Sequence, residues 1–153
     1  MDNSPPMDTL VVPATVDALS PIGQFVLQAA AAAGLPRKRA YRLRLAVDEI
    51  ATNVIHYGYG GSGQSGDLTL RAELTEDSLT LVLEDTSPPF DPRTHPVDPE
   101  SLASQSVEER RVGGLGIFLT LQGVDSFDYR SSAGRNLSRF VVRREPAAEA
   151  EER

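Results

Sequence analysis

At 153 residues, 40% of them hydrophobic and 24% charged, the chain is long enough to bury one core and has the composition of an ordinary soluble domain. Its formal net charge of -7 argues against nucleic acid as the main partner, and the absence of cysteine excludes disulfides, thiolate metal sites and a cysteine nucleophile. The opening MDNSPPMDTL has neither the basic nor the apolar stretch of a secretion signal, and no apolar run reaches about 18 residues, so a cytoplasmic protein with no membrane partner is expected.

The first seven residues read as a flexible terminus. Thr9 to Val12 is a short β-branched and apolar run stopped by Pro13, which suggests an edge strand because proline supplies no ladder donor. Asp17 or Ser20 is placed to cap a helix with Pro21 in its first turn, and an alanine-rich body carries it from Ile22 through Ala33 to Gly34.

Pro36 starts a second helix. At about 100° per residue, Leu43, Val47, Ile50 and Val54 form its core stripe, while Glu49, Asn53 and His56 cluster roughly a third of a turn away. Glu49 and Asn53 are four residues apart, so a carboxylate and a carboxamide can face one pocket. Gly58, Gly60, Gly61, Gly63 and Gly66 are expected to stop the helix and form a mobile loop.

Asp67 to Leu74 and Ser78 to Glu84 alternate apolar and polar residues around a short Thr75-Glu76-Asp77 turn, which reads as an antiparallel hairpin with one face buried. Asp85 lies at its exit. From Ser87 to Val112 the chain is proline-rich and polar, and an insertion of this length in a compact domain suggests a lid, about 92–112. Gly113, Gly114, Leu115 and Gly116 open a helix running to Gly123. Two further strands, Ser126 to Arg130 and Asn136 to Arg143, are joined by Ser-Ser-Ala-Gly-Arg, and the domain is expected to span 8–144 ahead of an acidic tail, 145–153.

Each candidate has a plain structural reading. Glu49 alone is most simply a solvated helix-face glutamate, Asn53 a side chain satisfying local backbone near a helix end, Asp85 an Asx turn before prolines, and the Gly113 to Gly116 run a flexible helix entry. His56 reads as a surface residue or one that supports its neighbours. Arg110 and Arg111 are placed to screen phosphates, to touch a protein partner or to stay solvated.

Order changes the weighting. Three boxes occur in sequence: D-E-I-A-T-N at Asp48 to Asn53, D-T-S-P-P-F-D-P at Asp85 to Pro92, and E-E-R-R-V-G-G-L-G-I-F-L at Glu108 to Leu119. With these boxes the chain resembles, over nearly its whole length, the anti-sigma-factor serine/threonine kinases of the Bergerat-fold, histidine-kinase-like ATPases. The resemblance implies an α+β two-layer sandwich, a mixed and mostly antiparallel sheet of about five strands with about three helices on one face.

It also implies an ATP site that uses magnesium. Glu49 matches the general base for a serine hydroxyl, and Asn53 the magnesium ligand. Asp85 matches the acceptor for the exocyclic amine of adenine. Gly113, Gly114, Leu115 and Gly116 match the phosphate loop, whose N–H groups point at anionic oxygens. The pattern departs at Ser87, where glycine is usual two residues after the aspartate; its Cβ restricts φ and bears on how closely adenine sits. The implied partners are a STAS-domain antagonist as phosphate acceptor, a sigma factor or another regulator, and a second copy in a homodimer. A binding module that senses ATP or ADP without phosphotransfer is the alternative.

Overall fold

The computed structural model describes residues 9–60, 65–89 and 121–144. Five strands, β1 (Thr9–Pro13), β2 (Asp67–Leu74), β3 (Ser78–Asp85), β4 (Ser126–Ser132) and β5 (Arg135–Arg143), form one sheet in the order β1-β2-β3-β5-β4. All four pairings are antiparallel, so no mixed pairing occurs among the described residues. Two helices, α1 (Leu19–Ala32) and α2 (Arg37–Asn53), pack on one face and complete the two-layer α+β sandwich. The helix expected from Gly113 lies almost wholly outside the described residues.

Period-two patterning sets the inner face of the sheet. Leu68, Leu70 and Ala72 of β2, Leu79, Leu81 and Leu83 of β3, and Phe140 and Val142 of β5 are buried against Ile22 and Val26 of α1 and Leu43, Val47 and Ile50 of α2. Each large side chain so buried contributes roughly 1.5–3 kcal/mol relative to exposure. β3 lies at the centre and is buried on its outer face as well, at Thr80 and Val82. Val82 sits in register between Arg71 and Arg139.

The strand expected at Thr9 to Val12 is an edge strand, with Pro13 opposite Asp67 at its end. Neither Asp17 nor Ser20 caps α1. A 3-10 turn at Val16–Ala18 leads into it, and the carbonyls of Thr15 and Val16 take the first N–H groups that a side-chain cap would otherwise satisfy. At the other end Gly34 takes φ 74°, and the Leu35 N–H returns to the Ala30 carbonyl at 3.0 Å, a left-handed termination that glycine allows.

β4 and β5 run further than their sequence suggests. Only Ala133 and Gly134 separate them, at φ 54° and 77°, the double positive φ of a tight hairpin turn. Among the described residues, no helix is long and apolar enough to cross a membrane.

Candidate functional site

α2 sorts its residues as the spacing predicts. Leu43, Val47 and Ile50 are buried, while Glu49 stands beside that stripe, half-buried, with Oε2 shielded from solvent. One turn later Asn53 is buried, and its Nδ2 donates to the Glu49 backbone carbonyl at 2.6 Å. That bond commits the carboxamide nitrogen to the helix and leaves the oxygen, the donor atom a hard cation needs, turned away from it. Beside Glu49, Asp48 has a buried Oδ1 with no hydrogen-bond partner among the described residues. Burial pushes its carboxyl above the ordinary range, and the nearby Arg44 guanidinium offsets this in part.

The helical path does not stop at Gly58 but runs to Gly60, and the loop expected at Gly61 and Gly63 lies outside the described residues. Val54–Tyr59 continues it as a π-helical turn, where a break at Gly58 was expected. Tertiary contacts override the weak helix propensity of glycine here. The Tyr59 hydroxyl receives the Thr86 N–H at 2.8 Å, lies 3.1 Å from Thr86 Oγ1 and donates to the Asp67 carbonyl at 3.1 Å, tying the turn to the exit of β3 and the start of β2. Gly58 is pressed against Ser87: a Cβ built on it would stand 2.5 Å from Ser87 Oγ and 2.9 Å from Ser87 Cβ. Wide turns of this kind concentrate at functional sites. His56, on the same turn, is exposed.

Asp85 is brought to this turn by β3. It lies opposite Asn136 across the β3–β5 ladder, and Asp85, Ser87 and Asn136 are all buried. Asp85 Oδ1 accepts three hydrogen bonds, from the Ser87 N–H at 3.0 Å, the Ser87 hydroxyl at 2.6 Å and Asn136 Nδ2 at 2.7 Å. Asn136 Nδ2 also donates to the Ser87 carbonyl at 2.7 Å, and the Tyr129 hydroxyl donates to Asn136 Oδ1 at 2.9 Å. Three donors on one oxygen fix the rotation of the carboxylate, and among the described residues Oδ2 accepts from none.

Ser87 thus turns its hydroxyl onto Asp85, and the missing Cβ of Gly58 makes room for the serine side chain. Asn136 and Tyr129 were not singled out by the sequence reading. Their signal was nonetheless there: residues 136, 138, 140 and 142 share the inward face of β5, and Asn136 and Ser138 put polar groups where Phe140 and Val142 put apolar ones.

The structure therefore brings Glu49, Asn53, Asp85 and Ser87 to one end of the sandwich, linked through Gly58 and Tyr59. Gly113, Gly114, Leu115 and Gly116, with Arg110, Arg111 and the stretch 92–112, lie outside the described residues. Chemically, the end offers a shielded carboxylate able to take a proton, a carboxamide oxygen able to hold a hard cation, and a clamped carboxylate able to read an amine. No group of three or more metal-binding side chains occurs among the described residues. Magnesium does not need one, since it keeps several waters and bridges substrate phosphates.

The family model for the histidine kinase-like ATPase domain matches residues 12–142, a stretch that includes every one of these positions. The chain belongs to this family. The ATPase domain is 30% identical over 95 residues to the serine-protein kinase RsbW of Bacillus pumilus, covering 60% of this chain and 58% of that protein. It is 29% identical over 101 residues to RsbW of Bacillus licheniformis, covering 63% and 60%. The ATPase domain thus matches about three fifths of the length of these relatives. A chain in the crystal structure of the SiaB-SiaC complex from Pseudomonas aeruginosa shares the fold, with a TM-score of 0.56 at 14% identity over 90% of this chain and 89% of that one. The relatives' name agrees with the resemblance carried by the three sequence boxes.

Proposed function

We propose that this ATPase domain is a protein serine kinase of the anti-sigma-factor type, which transfers the γ-phosphoryl group of magnesium-ATP to a serine of a STAS-domain antagonist. In its other state it holds a sigma factor or another regulator, and it acts as a cytoplasmic homodimer. The observation that carries the reading is the convergence of the Glu49–Asn53 turn and the Asp85–Ser87 corner at one end of the sandwich, joined by Gly58 and Tyr59.

In this reading Asp85 accepts a hydrogen bond from the exocyclic amine of adenine through Oδ2, the oxygen its clamp leaves open, which favours adenine over guanine. Ser87 lies beside that base. Gly113, Gly114, Leu115 and Gly116 receive the phosphates on backbone N–H groups, and the 92–112 stretch closes over them. Asn53, through Oδ1, would hold magnesium, which would supply charge neutralisation at the phosphates. The acceptor serine oxygen bonds to the γ-phosphorus as the bond to the β-phosphate oxygen breaks, ADP leaves, and the hydroxyl proton goes to Glu49.

A second reading, a sensor that binds ATP or ADP without transfer, rests on the side chain of Ser87 standing at a position where the family pattern has glycine. One assay separates the two. With a STAS-domain protein of the same genome and γ-labelled ATP, the kinase reading expects label on serine, lost by about 100-fold or more in Glu49→Gln while ATP binding persists. Transfer at the wild-type rate by Glu49→Gln rejects the base, and ATP binding with no transfer to any STAS-domain protein of that genome favours the sensor.

A further inference from the structure

The outward face of α2 differs from the rest of this acidic chain. Arg37, Lys38, Arg39, Arg42 and Arg44 place five of the fifteen basic residues within eight positions, and no acidic residue occurs between Asp17 and Asp48. Two of the five are engaged: Arg39 pairs with Asp125 at 3.0 Å, and the Arg44 guanidinium lies over Gly23 and acts on Asp48. Arg37, Lys38 and Arg42 are exposed and pair with no carboxylate among the described residues. Between them the fold leaves two large apolar side chains in solvent, Tyr41 at 48% and Leu45 at 57% exposure.

These residues are aligned. Steps of four, three and four place Lys38, Arg42, Leu45 and Glu49 along one side of the helix, about a third of a turn from the buried Leu43–Val47–Ile50 stripe, with Glu49 at its half-buried end. At 1.5 Å per residue the line is about 16 Å long and ends on Glu49, which fits within a standard interface of about 800 Å² a side.

We infer that this stripe is the docking track for the phosphate-accepting protein, a folded partner that lays an acidic surface on Lys38 and Arg42 and an apolar side chain on Leu45, next to the serine it offers to Glu49. The inference rests on the kinase reading and adds the chemistry of the acceptor. Leu45 and Tyr41 supply desolvated anchors, while the cations steer an acidic protein and set its register along the helix. A nucleic acid suits the surface less well. Three cations that pair with no carboxylate among the described residues, interleaved with apolar groups on a chain of net charge -7, do not make the continuous basic footprint that a phosphate backbone requires.

The test is a calorimetric titration of the STAS-domain proteins of the same genome into the ATPase domain, which needs no phosphotransfer and so is read independently of the kinase reading. Leu45→Asp is expected to weaken the dissociation constant of the binding partner by about tenfold or more. Lys38→Glu/Arg42→Glu should weaken it by about tenfold at low salt, and by much less near 1 M salt, where the screening length is about 3 Å. Acidic-to-lysine changes on the partner should restore binding to the double variant. In the transfer assay the same variants should raise KM with little change in kcat, whereas Glu49→Gln does the reverse. Unchanged affinity in both variants overturns the inference. So does the absence of any STAS-domain binder, or tight binding of a DNA duplex or anionic vesicles that Lys38→Glu/Arg42→Glu abolishes. Binding that follows these variants without any phosphotransfer leaves the docking track standing and removes the kinase reading alone.

Discussion

The inner face of the β3–β5 ladder begins with Leu79 opposite Val142 and Leu81 opposite Phe140, and ends with Leu83 opposite Ser138 and Asp85 opposite Asn136. Both ends are fully buried, on the same two strands and the same face. At the first end burial is favourable in itself, because only apolar surface leaves water. At the second it is tolerable only because Ser87, Asn136 and Tyr129 saturate one another and Asp85 Oδ1. An apolar end and a buried polar end are thereby separated along one ladder, by a change of residue type two positions from Leu83, and the proposed function assigns recognition to the polar end.

That contrast is broken most severely at the apolar end. Phe140→Ala, which also removes the edge-on partner of Phe127 at 5.1 Å, is expected to cost about 3–5 kcal/mol in urea unfolding, with ATP affinity of the folded fraction nearly unchanged. A large loss of ATP affinity in the folded protein would show that the two ends are not separate.

Asn136→Ala attacks the other end. It removes one donor from Asp85 Oδ1 and the only side-chain donor described on the Ser87 carbonyl, with an expected cost of about 1–3 kcal/mol. Here ATP affinity should fall in step, and discrimination of ATP over GTP should narrow, as measured by calorimetric titration of both nucleotides. Retained discrimination would mean that the clamp does not orient Asp85.

Gly58→Ala sharpens the join between the two halves. Its Cβ would collide with Ser87, at an expected cost of about 1–3 kcal/mol from overpacking. Adding Ser87→Gly should recover much of that loss, a positive coupling that a double-mutant cycle on denaturation midpoints reads directly. Additive effects would contradict the contact.

The smallest effect is at Asp48. Its folded-state pKa lies above the ordinary 3.8, so the folded chain holds that proton more tightly than the unfolded chain, and ionised Asp48 opposes folding. Asp48→Asn should therefore be more stable than wild type at neutral pH, and the difference should fade as pH falls through the raised value towards 3.8. A pH-independent difference in unfolding midpoints would assign the effect to packing instead.

What the sequence made legible follows from locality. β2 and β3 alternate cleanly because each has one face in the core, and the Leu43–Val47–Ile50 stripe separates Glu49 from the apolar side by simple helical spacing. Gly58 misled because its propensity is a local property, whereas Tyr59 is held by Thr86 and Asp67, elsewhere in the chain. The hairpin was legible at Ser-Ser-Ala-Gly-Arg, but the polar Ser131 and Ser132, which pair as strand residues, concealed that its turn is only Ala133-Gly134. Asn136 was missed because its role exists only through Asp85, 51 residues earlier in the chain. Only cross-strand register makes the two neighbours.

Nucleotide-dependent stabilisation tests the central claim most directly. The thermal midpoint would be followed with magnesium-ATP, magnesium-ADP and magnesium-GTP on wild type and Asp85→Asn. Adenine nucleotides at about 100 times their dissociation constant should stabilise the wild type by about 2.7 kcal/mol, GTP should have little effect, and Asp85→Asn should lose most of the adenine response. No shift with either adenine nucleotide, or equal shifts with GTP, would contradict an adenine site at the polar end of the ladder.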